Sequence, residues 1–70
     1  MADEAIVTMT DGTQFTTDDY EITKRRSDGY VLRVMVHGHA EFSRSTTDGK
    51  LVRWNAHKRD ATLTLPEGSN

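Results

Sequence analysis

The chain contains no cysteine, so no disulfide can tie its 70 residues together and no thiolate is present as a nucleophile or metal ligand. Stability must come from one apolar core or from self-association, because a chain this short withdraws only roughly 60% of its unfolded surface from water. A reducing, cytoplasmic setting is the matching expectation. No apolar run approaches the ~18 residues of a membrane span, and the start, Met1-Ala2-Asp3-Glu4-Ala5, is acidic where a signal peptide is basic. No membrane contact is expected. The single proline, Pro66, lies near the end, and no low-complexity stretch or linker divides the chain. One domain over residues 1–70 is expected, frayed at 1–4 and 66–70.

The net charge is only -2, but it is unevenly spread. Residues 1–21 carry six acids and no Lys or Arg, whereas residues 24–59 carry all nine basic residues against Asp28, Glu41 and Asp48. Such asymmetry points to nucleic acid or an acidic partner, unless folding lays the acidic segment over the basic one.

Three Asp-Gly dipeptides, each preceded by a hydroxyl residue, punctuate the chain: Thr10-Asp11-Gly12, Ser27-Asp28-Gly29 and Thr47-Asp48-Gly49. Tight turns between right-twisted strands need positive φ, which Gly accepts and Asp tolerates, so these dipeptides predict hairpins. Strands are expected at residues 5–10, 13–17, 20–26, 30–37, 40–46, 50–57 and 61–65. A helix capped by Thr17 and ending before Gly29 competes locally, but Tyr20 and Ile22 are spaced two apart, the period of a strand.

A three-residue loop at Ser27-Asp28-Gly29 sets Arg26 against Tyr30, Lys24 against Leu32, Ile22 against Val34 and Tyr20 against Val36. The same loop at Thr47-Asp48-Gly49 sets Thr46 against Lys50, Arg44 against Val52, Phe42 against Trp54 and Ala40 against Ala56. A loop at His37-Gly38-His39 joins the two hairpins, with Val36 opposite Ala40 and Val34 opposite Phe42. Two apolar rows result: Ile22, Val34, Phe42, Trp54, and Tyr20, Val36, Ala40, Ala56. Covered by Ile6 or Val7, Phe15, Leu63 and Leu65, they predict an all-β protein, an antiparallel meander of about seven short strands curled into a small barrel or two-layer sandwich. A two-residue loop at Gly38-His39 would instead move Phe42, Val52 and Trp54 to the other face.

The opposite face is predicted to carry Arg25, Arg33 and Arg53 with Ser43, and also Val31, Met35 and Leu51. Lys24, Arg25, Arg26, Arg44 and Lys50 gather at the end bearing the second and third Asp-Gly turns, with Tyr30 as the exposed aromatic. Cations with hydroxyls and an aromatic suit a phosphate backbone and its bases. The candidate nucleic-acid site is therefore Arg25, Arg26, Tyr30, Arg33, Arg44, Lys50 and Arg53. At the other end, His37, His39, His57 and Asp19 have ligand chemistry suited to zinc, but their spacing matches no zinc motif and no cofactor is expected. No nucleophile elbow or paired acid and base is present, so no catalytic residue is assigned and an enzyme is the least favoured class.

The preferred expectation is a non-enzymatic β-barrel module that binds single-stranded RNA or DNA. Its alternative is a protein-interaction module, an adaptor, inhibitor or structural subunit, using an edge strand or self-association seeded by Val31, Met35 and Leu51.

Overall fold

The structure, a computed structural model, describes residues 3–67; part of the expected terminal fraying lies outside the described residues. Seven antiparallel strands form one sheet: β1 (Ala5–Met9), β2 (Gln14–Thr17), β3 (Tyr20–Arg25), β4 (Val31–Val36), β5 (Ala40–Arg44), β6 (Leu51–Asn55) and β7 (Lys58–Thr64). Residues 17–29 therefore hold a strand in place of the competing helix. Among the described residues there is no helix long and apolar enough to cross a membrane.

The order β2-β1-β7-β6-β5-β4-β3 is a meander from β3 to β7, with the first hairpin added beside β7. Its two free edges, β2 and β3, are consecutive in the chain and joined through Asp18 and Asp19. The sheet thus curls into a half-barrel. Across its open side the Tyr20 hydroxyl donates to the Asp3 carbonyl at 3.3 Å, and the His39 and Phe15 rings lie 4.8 Å apart.

Ala5, Val7, Val31, Val34, Val36, Phe42, Leu51, Ala61 and Leu63 form the core. Phe15, Tyr20, Ile22, Met9 and Leu65 pack around it, so Val7 takes the covering place that Ile6 or Val7 was expected to fill. The pairs Ile22–Val34, Tyr20–Val36, Val34–Phe42 and Val36–Ala40 match the sequence-based register, as does the His37-Gly38-His39 loop.

Two departures change which side chains are buried. Two irregularities flank Lys24: β3 slips by one residue after Ile22, so Lys24 faces Arg33, not Leu32, and a second shift after Lys24 returns Arg25 to Val31 in the expected register, with Val31 nevertheless in the core. The third Asp-Gly turn is one residue longer than predicted: Ser45 closes against Lys50, and Arg44 pairs with Leu51 rather than with Val52. A one-residue slip reverses every side chain that follows. Leu51 and Arg53 therefore face inward, and Trp54, expected at the centre of the apolar row, stands outside and is 52% exposed. Val31 and Leu51 are core residues, so the apolar patch expected on the outer face is not formed by them.

The candidate basic end

The second Asp-Gly turn is a three-residue loop, closed by the Arg26 N–H donating to the Tyr30 carbonyl at 2.8 Å, with Gly29 at φ +90°. Asp28 accepts the Tyr30 N–H at 3.1 Å and also holds both ends of the Arg26 guanidinium, at 3.0 and 2.6 Å. That clamp keeps the guanidinium 4.8 Å from the Tyr30 ring centroid. Arg25 donates to the Gly29 carbonyl at 2.9 Å.

From the other hairpin, Arg44 ties the two turns together. It donates to the Val31 carbonyl at 3.0 Å and the Gly49 carbonyl at 2.9 Å, while its guanidinium lies 4.5 Å from the Tyr30 centroid. Tyr30 is thus a half-buried ring held by two guanidinium groups, not the exposed aromatic expected there. Each of these guanidinium groups is also held by carbonyl or carboxylate oxygens. Lys50 is exposed beside them, at the mouth of a cleft of about 310 Å³ that runs between Arg44, Gly49 and Lys50 on one side and residues 64–67 on the other.

The guanidinium hydrogen bonds hold the turn carboxylates well below the usual range. Asp28 is lowered to about 2, first by Arg26 and then by the Tyr30 N–H. Asp48 is lowered to about 2, first by Arg59 and then by the Lys50 N–H. The Arg26 guanidinium is raised in turn by Asp28.

Arg25, Arg26, Tyr30, Arg44 and Lys50 therefore come together, whereas Arg33 and Arg53 do not join them. Arg33 is exposed on the outer face opposite Ser43. Arg53, expected beside it, lies inside: it is bonded to Asp60 at 2.8 Å with its guanidinium 5.9 Å from the Phe42 centroid. The longer third turn is the cause. Among the described residues the ion pairs are Arg26–Asp28, Arg53–Asp60 and Arg59–Asp48, none of which uses an acid of residues 1–21. All six of those acids are exposed.

The zinc arrangement does not form. His37 meets Asp19 only through the backbone, His39 lies against Phe15, and among the described residues no three His, Cys, Asp or Glu side chains converge. Sequence reasoning missed Arg59, whose guanidinium bonds Asp48, Ser45 and Thr47 at 2.5, 3.0 and 3.2 Å and lies 5.7 Å from the Trp54 centroid. Its only available signal was the hydroxyl run Ser45-Thr46-Thr47, which accommodates a longer turn as well as a shorter one. No family model, curated protein or solved structure matches this chain.

Proposed function

We propose that this protein is a non-enzymatic module of the cytoplasm that binds single-stranded nucleic acid at its basic end. The observation that supports it best is the gathering of Arg25, Arg26, Arg44 and Lys50 around two adjoining turns, with Lys24 near them at the end of β3 opposite Arg33 and none of the described ion pairs drawing on the acidic N-terminal segment. Phosphates answer such a cluster, and the ordered guanidinium planes suit stacking on unpaired bases. A single strand is the better fit than a duplex, because reading a major groove calls for a projecting helix or a β-ribbon, and this end has only short loops.

Pairing with a protein through a sheet edge ranks second. Edge β2 has only four residues, and edge β3 is bulged and ends in Lys24 and Arg25, features that discourage strand addition.

The test is a titration with a labelled single-stranded decamer at 50 and 200 mM salt. Three phosphate contacts, from Lys24, Arg25 and Lys50, with Arg26 already neutralised by Asp28, give a slope of log affinity on log salt of about -2, and so a loss of about 20-fold between the two conditions. The triple variant Lys24→Gln, Arg25→Gln, Lys50→Gln should bind more weakly with a slope smaller by about 2. Absence of binding at the lower salt would overturn the proposal.

A further inference from the structure

Trp54 is the exposed large hydrophobic side chain among the described residues, half open to water on the outer face of β6. Its surroundings are built. The Arg59 guanidinium lies over the ring, 5.7 Å from its centroid, and is anchored by three side-chain oxygens of the third Asp-Gly turn, Asp48, Ser45 and Thr47. The Asp48 carboxylate takes Arg59 on one oxygen and caps the Lys50 N–H, at 3.1 Å, with the other. One side chain therefore links the basic end to the aromatic. Lys50 and Trp54 are four residues apart along extended chain, about 13 Å at the rise of a strand, within reach of one oligonucleotide.

We infer that Trp54 is a base-stacking contact for the bound strand, which runs from the basic end across the third turn onto the β6–β7 hairpin. This rests on the proposed single-strand binding. With Arg59 over the ring and half of Trp54 still open to water, a base can stack on the part of the indole that Arg59 leaves free, and Lys50 on the approach to it holds a phosphate alongside.

The chain has one tryptophan, so its emission reports on this residue alone. The unmodified protein is titrated with a thymidine decamer and with an abasic decamer, binding being followed independently by anisotropy of a label on the strand. Saturable quenching by the thymidine strand is expected, at the affinity that anisotropy gives, and none by the abasic strand. Trp54→Ala should bind the thymidine strand about ten-fold more weakly with an unchanged salt slope, and Trp54→Phe should recover part of the loss. Binding without quenching, equal quenching by the abasic strand, or a Trp54→Ala variant of unchanged affinity would overturn the stacking role while leaving the basic end intact. No binding of either strand would overturn both. If Trp54→Ala loses its circular dichroism, Trp54→Phe and the abasic comparison decide.

Discussion

Asp11, Asp28 and Asp48 do the same work at three places. Each accepts the N–H of the residue two positions on, at 2.9, 3.1 and 3.1 Å, closing a turn in which the intervening glycine has positive φ. This was legible in the sequence, since Asp-Gly fixes both the bend and the carboxylate that satisfies it. The guanidinium partners of Asp28 and Asp48 were not. Arg59 reaches Asp48 across 11 positions, and only the strand register decides whether they meet. The pairing has a pH consequence. In the folded protein Asp28 and Asp48 are lowered from the ordinary 3.8 to about 2, so the unfolded chain takes up protons first as acid is added. The stability they contribute is complete above about pH 4 and disappears as pH falls toward about 2. Asp48→Asn should lower the melting temperature at pH 7 and approach the wild type between pH 4 and pH 2. Parallel melting curves over that interval would show that Asp48 contributes no such linkage.

At the level of strands, the sequence was informative wherever a glycine set the loop length unambiguously. In the first and second turns the glycine N–H bonds three residues back, Gly12 to Met9 and Gly29 to Arg26. In the third, Gly49 reaches four residues back to Ser45. Ser45, Thr46 and Thr47 are all at home in a turn, so the pattern around Asp48-Gly49 did not separate a three-residue from a four-residue loop. The following turn was hidden altogether. Ala56 and His57 adopt φ of 51° and 67°, a conformation usually signalled by Asn or Gly, and β7 accordingly begins at Lys58, three residues before its expected start. Burial tests the register that results. Phe42, fully buried, should cost about 3–5 kcal/mol when changed to Ala, much of the roughly 4–10 kcal/mol that a domain of this size holds. Trp54→Ala should cost about 1 kcal/mol or less. Urea unfolding of the two variants measures both, and the reverse order would restore the shorter turn and place Trp54 in the core.

For the molecule as a whole, curling one sheet resolves the shortage of core in a chain without cysteine. Five strands supply a single inward row, Arg44, Leu51, Leu63, Val7 and Phe15, and the first hairpin covers what the central strands leave bare. An outward row, Lys24, Arg33, Ser43, Val52, Thr62, Thr8 and Gln14, crosses all seven strands and is polar except at Val52, which is fully buried. That all-β outcome was legible from turn chemistry and alternation. The division of charge along the chain was legible too, but whether acids would cover bases was not, because it depends on where the first hairpin docks. It docks beside β7, and its carboxylates remain exposed. Binding of a single strand at the basic end is tested most directly by backbone amide chemical shifts, recorded at low salt with and without an unlabelled decamer. Shifts are expected in residues 24–31 and 44–50 and at the Trp54 indole N–H, with residues 5–17 unmoved; shifts centred on residues 5–17, or none anywhere, would contradict it.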